Sequence, residues 1–103
     1  LREGDEVGGF HVLDTPGHSA GHVSYWRESD RVLICGDVIW GCNPFVNAGR
    51  PREPFPFVSP DPALNRDSAR RLAALEPALV CFGHGPPLRD TARFRDIVSE
   101  LST

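Results

Sequence analysis

Three times in 103 residues the chain runs an apolar, β-type segment into a polar residue flanked by glycine. The first is His18 in "TPGHSAGH", the second Asp37 in "LICGDVIW" and the third His84 in "LVCFGHGPP". Glycine at each point lets the backbone turn sharply and approach a bound group closely. In layered α/β folds the loops at strand ends converge, so residues far apart in sequence meet there. The repetition predicts an α/β chain with a shared site built from His18, Asp37 and His84.

The intervening segments support that layering. "FHVLDT" and "HVSYWRE" are short runs rich in Val, Tyr, Trp and Phe, separated by the glycine-bearing "PGHSAG", and predict two strands. After the turn-like "ESD", the nearly continuous apolar run "RVLICGDVIW" predicts a strand buried on both faces that ends at Gly36-Asp37. From Gly41 to Pro60 the pattern dissolves into a proline-rich, aromatic stretch. Loops longer than about 12 residues in a compact domain are usually functional or disordered, and Phe45, Phe55 and Phe57 predict one folded over something.

Asp61 is then placed to cap a helix that Pro62 opens, with Leu64, Ala69, Leu72 and Leu75 as its apolar stripe and Pro77 as its stop. "ALVCF" predicts a buried strand and "GHGPP" a tight loop. Phe94, Ile97, Val98 and Leu101, at i, i+3, i+4 and i+7, predict a last helix opening near Asp90.

Composition excludes several functions. A chain of this size is one domain's worth, able to bury roughly 60 to 70% of its unfolded surface. Its formal charge of -3 offers no basic field for phosphates, which disfavours nucleic acid as a partner. No apolar run approaches the ~20 residues that cross a bilayer, and the N-terminus lacks a signal-peptide pattern. The expectation is a cytoplasmic chain, without a membrane role, acting on a small molecule. Cys35, Cys42 and Cys81 form no CxxC pair and read as small apolar core residues. All basic residues are arginine, which removes lysine Schiff-base chemistry.

Neutral imidazole and carboxylate suit zinc, iron or manganese. A carboxylate between two histidine sites can bridge two metals that hold a hydroxide nucleophile at neutral pH, so the implied chemistry is metal-assisted hydrolysis. His18 and His22 share the i, i+4 spacing of a helical pair, but Pro16, Gly17 and Gly21 oppose a helix and no glutamate follows His18. The HExxH reading therefore fails: His18 stands in a loop and His22 begins the next strand. His11 alternates with Phe10 and Val12 as an exposed strand residue. Asp14 is either a plain strand-end acid or a group that orients a ligand histidine.

Together, "TPGHSAGH", "CGD" and "FGHG", in this order and spacing, resemble the later half of the metallo-β-lactamase superfamily over essentially the whole chain. The resemblance implies an α/β fold, the C-terminal half of an αββα sandwich, with one mixed sheet and covering helices. Residues 1–103 would be a single partial domain, because the family's HxHxDH motif is absent from the sequence. It implies that His18 binds a first metal, that Asp37 bridges the two metals at the catalytic centre, and that His84 binds the second. His22 resembles a supporting position. The implied cofactor is zinc, one or two ions, with iron or manganese as alternatives.

The activity so implied is thioester hydrolysis of the glyoxalase II type, or ester or lactone hydrolysis, by a metal-bound hydroxide. The loop from Trp40 to Val58 would line the substrate pocket, with Trp40, Phe45, Arg50 and Arg52 facing substrate. β-Lactam hydrolysis ranks below these, and mono-iron persulfide oxidation stays open. With three ligands alone, each ion of a bridged pair has two protein ligands where zinc usually has three or four. The alternative is therefore a non-catalytic truncated module, inactive alone, that pairs with another chain or forms a homodimer through an exposed inner sheet.

Overall fold

The computed structural model describes residues 2–42, 51–54 and 60–101. Five strands, β1 (Glu6–Val7), β2 (Phe10–Asp14), β3 (Val23–Arg27), β4 (Val32–Gly36) and β5 (Leu79–Phe82), form one sheet in sequence order. Neighbours from β1 to β4 are antiparallel, whereas β4 and β5 are parallel. A parallel pair needs a crossover, and helix α1 (Pro62–Ala73) lies in that connection. Helix α2 (Thr91–Ser99) follows β5, so the chain is a mixed α/β sheet with two helices, as expected.

Both helices begin where the sequence places them. The side chain of Asp61 accepts from Leu64 N at 3.0 Å with Pro62 in the first turn, and Asp90 accepts from Arg93 N at 3.1 Å. Each cap satisfies an amide that the helix leaves without a partner. Past α1, Glu76 takes a left-handed φ of 53° and Pro77 prevents continuation.

The core lies on one face of the sheet. Trp26, Leu33, Cys35 and Val80 pack there against Ala69, Leu72 and Ala73 of α1 and Phe94 and Val98 of α2. Alternation sends Val12, Tyr25, Ile34 and Cys81, which are aligned across four strands, to the opposite face. Only Val12 of that row is buried; the other three are half-buried.

Two expectations are corrected here. The strand that opens at Val32 stops at Gly36, as expected, but it is not buried on both faces. Leu33 and Cys35 are buried and Val32 and Ile34 half-buried, and the apolar residues beyond the strand, Val38 to Trp40, form a buried bend that leads into a bridge between Trp40 and Arg52. β5 likewise buries only Val80 fully. Leu64 is not part of the α1 stripe but 40% exposed, because the buried side of the helix runs through Asn65, Ser68, Ala69, Leu72 and Ala73. Its polar members bond to backbone remote in sequence: Asn65 Nδ2 donates to Val38 O at 2.9 Å and Ser68 Oγ to Pro16 O at 2.8 Å.

Cys35 and Cys42 are buried as expected, and Cys81 is half-buried. The aromatic loop expectation, including Phe45, Phe55, Phe57 and Arg50, falls outside the described residues.

Leu72→Ala should lower the unfolding free energy by about 2–5 kcal/mol in urea titrations, whereas Leu64→Ala should cost no more than about 1 kcal/mol. Equal losses would contradict this helix orientation. Burial pushes the Cys35 thiol from its ordinary 9.0 up to about 12. The folded state thus holds that proton more tightly, so its stabilising contribution is complete below pH 9 and is lost as pH rises from about 9 towards 12. Cys35 should resist iodoacetamide at about pH 8 in the native chain and react in urea, as peptide mass mapping would show.

Candidate metal centre

The three glycine-flanked residues do meet. His18 lies in the loop between β2 and β3, Asp37 follows β4, and His84 follows β5. The carboxylate of Asp37 stands between the histidines, with Oδ2 at 3.7 Å from His18 Nε2 and Oδ1 at 3.5 Å from His84 Nε2. Both separations exceed an ordinary hydrogen bond, so neither imidazole is bonded directly to the carboxylate. The site opens on the His84 side, where that side chain is 47% exposed against 17% for His18.

Tertiary contacts clamp each loop. The first turn of α1 holds the His18 loop, since Asp61 N donates to Gly17 O at 3.1 Å and Ser68 Oγ donates to Pro16 O. Gly17 has a φ of 132°, and a Cβ there would sit 2.2 Å from Asn65 N. No other residue fits that approach. The His84 loop is fastened by Gly83 N donating to Gly36 O at 2.8 Å and Gly41 N donating to His84 O at 2.7 Å. A Cβ on Gly83 would lie 2.6 Å from Asp37 Oδ1, so glycine there makes room for the carboxylate.

Trp40 lies beside the carboxylate. It is 4% exposed and its indole Nε1 donates to Asp37 Oδ1 at 3.2 Å. Its ring makes edge contacts with both histidines, with centroids 6.3 Å from His18 and 5.6 Å from His84. Arg52 joins Trp40 through two main-chain hydrogen bonds of 2.8 Å. Its Nε donates to Glu53 O at 3.1 Å.

His22 immediately precedes β3 and does not face the carboxylate as a third histidine. Its Nε2 accepts from the main-chain amide of Asp37 at 3.1 Å, and its Nδ1 lies 3.0 Å from Thr15 Oγ1. Thr15 Oγ1 is in turn 2.8 Å from Ser24 Oγ, and both residues are fully buried. The Asp14 backbone is bonded to the Glu3 carboxylate and the Arg71 guanidinium. Thr15 is the residue whose side chain meets His22. The signal for it was available, because alternation puts Thr15 and Ser24 on the core face, where buried hydroxyls need partners.

The donor types, two imidazoles and one carboxylate, suit zinc, iron or manganese. Among the described residues no three His, Cys, Asp or Glu side chains gather around a single ion. The arrangement instead fits a carboxylate shared between two histidine-bearing positions. Its donors agree in kind with those of a binuclear centre.

A family model described as the metallo-beta-lactamase superfamily matches residues 2–84. The chain belongs to this superfamily. It is 32% identical over 96 residues to the probable metallo-hydrolase YflN of Bacillus subtilis, covering 87% of this chain and 36% of that protein. It is 38% identical over 100 residues to a hydroxyacylglutathione hydrolase of Methylobacterium sp., covering 91% of this chain and 34% of the relative. The chain therefore spans about a third of the length of these curated relatives. Among solved structures, the metallo-beta-lactamase family protein TTHA1429 of Thermus thermophilus aligns with a TM-score of 0.69 at 29% identity, over 97% of this chain and 32% of its own. TTHA1623, solved in a di-iron-bound form, aligns with a TM-score of 0.66 at 31% identity, over 86% and 41% respectively. Both curated relatives are hydrolases by name, and no helix among the described residues is long and apolar enough to cross a membrane.

Burial holds the His22 imidazole below its ordinary value of 6.5, partly opposed by the nearby Asp37 carboxylate. The unfolded chain therefore takes up this proton first, so the stability tied to neutral His22 is present above pH 6.5 and is lost as pH falls through the depressed folded value. In chelator, urea midpoints of the native chain should fall between about pH 7 and pH 5. A His22→Gln variant should show a flatter profile, and parallel profiles would refute the assignment.

Proposed function

We propose that His18, Asp37 and His84 are this chain's share of a binuclear metal centre that hydrolyses a thioester or a related ester or lactone. The observation that carries this reading is the Asp37 carboxylate, which turns one oxygen towards each histidine. The hydroxyacylglutathione hydrolase relatives favour an acylglutathione thioester as substrate class. Zinc is the proposed metal, with iron supported by the di-iron form of TTHA1623 and manganese compatible with the same donors.

His18 would hold one ion, His84 the other, and Asp37 both. The remaining ligands would come from residues beyond these three, as an HxHxDH motif would supply. When bound, such ions supply Lewis-acid polarisation and an activated water at neutral pH. The chain's own residues do the rest by position. Trp40 donates to Asp37 Oδ1 and so holds the orientation of the carboxylate. Neutral His22 fixes the adjacent backbone, and the more open His84 side leaves room for substrate to enter. Arg50 and Arg52 are proposed to meet an anionic substrate.

A second reading, pairing with another chain or a second copy, is supported by the half-buried apolar row of Tyr25, Ile34 and Cys81. Sedimentation velocity distinguishes the two, since a monomer that binds metal argues for the first.

Metal content by mass spectrometry should be about one or two ions per chain, and should fall to background in His18→Ala, Asp37→Ala and His84→Ala. Any hydrolysis of an acylglutathione thioester should fall by about 100-fold or more in the same variants. Unchanged metal content would overturn the ligand assignment.

A further inference from the structure

We infer that His22 is a positioning residue for Asp37: as the Nδ1–H tautomer held by Thr15, it fixes the Asp37 main chain through Nε2 and so aims the carboxylate. The step to metal binding rests on the ligand role proposed for Asp37.

The tautomer follows from hydrogen-bond logic. An amide N–H can only donate, so the Nε2 that receives Asp37 N at 3.1 Å carries a lone pair rather than a proton. A neutral ring then carries its proton on Nδ1, which donates to Thr15 Oγ1 at 3.0 Å. The Thr15 hydroxyl also lies 2.8 Å from Ser24 Oγ, and either hydroxyl of that pair can be the donor. The result is a hydrogen-bonded chain from the buried core face of β3 to the backbone of Asp37, in which the Asp37 N–H is the fixed donor.

Two features show that the chain is built for this contact. Gly36 has a φ of 56°, and a Cβ there would lie 2.8 Å from His22 Nε2, so the ring reaches Asp37 only because residue 36 has no side chain. Both ring nitrogens are engaged by protein groups, which removes His22 from the ligand set although it stands four residues from His18. The main-chain bond fixes the start of the Asp37 side chain and the Trp40 indole fixes its end. The carboxylate is then held at two points while its oxygens stay turned towards His18 and His84. Outer groups of this kind change metal affinity by about 10–100-fold when removed.

The test uses the 103-residue chain, labelled with nitrogen-15, in chelator and then in a zinc titration. In the native chain, long-range proton–nitrogen spectra should show His22 protonated at Nδ1 and unprotonated at Nε2. The Asp37 amide should exchange with solvent about 10-fold or more slowly than in Thr15→Val, which keeps the side-chain volume and removes the hydroxyl. Zinc should bind about 10–100-fold more weakly to Thr15→Val and His22→Ala, with Thr15→Ser restoring both readouts.

A ring protonated at Nε2, or Asp37 exchange unchanged in Thr15→Val, would overturn the inference without any metal being involved. Zinc affinity that depends on Asp37 but not on His22 or Thr15 would overturn it too. If the tautomer and exchange results hold while Asp37→Asn leaves zinc affinity unchanged, it is the ligand reading that fails, and His22 stands as the group that holds the turn.

Discussion

The main-chain amide of Asp37 is the point on which the arrangement turns. At the end of β4 the backbone enters a left-handed conformation at Gly36, and the next N–H is received by a histidine from the previous loop. An amide at a strand end has lost its ladder partner and must find another. That need joins the β2–β3 loop to the end of β4, and Gly83, donating to Gly36 O, brings the end of β5 to the same place. Three strand ends are thereby drawn together by one imidazole and by main-chain hydrogen bonds, apart from any contact of the Asp37 carboxylate.

Around this point the chain separates support from exposure. Beneath it are buried groups with defined partners: Thr15 with Ser24, Asn65 with Val38 O and Trp40 with Asp37. Above it the two imidazoles and the carboxylate remain accessible to different extents, with no direct hydrogen bond between acid and imidazole. Helix α1 contributes to both layers, because one face packs Leu72 and Ala69 on the sheet while its first turn grips the loop that carries His18. Supporting bonds of this kind suit the proposed metal binding, since they hold donors close to their final geometry before an ion arrives.

Much of the scaffold was legible along the chain. The caps Asp61 and Asp90, the strands around Val12, Tyr25 and Leu33, and the rejection of a helix between His18 and His22 are local, decided by residues within a few positions. Where the reading went astray, the deciding partners were remote. Leu64 has the right residue type for the core, but the orientation of α1 follows Asn65 and Ser68, whose partners Val38 and Pro16 lie far away in sequence. Nor does the sequence alone reveal that the Trp40 indole is directed inward at Asp37.

By itself the sequence determined which residues could form a site and where each strand must stop, because glycine, proline and capping preferences act over short range. It also narrowed the chemistry, since imidazole and carboxylate donors beside glycines admit few alternatives. Only the tertiary structure decided how they are used: one Asp37 oxygen for each histidine, and His22 set on the backbone rather than in the donor set. That assignment depends on the direction of each lone pair and N–H between segments 15 or more residues apart, and such directions exist only once the sheet has brought the strand ends together.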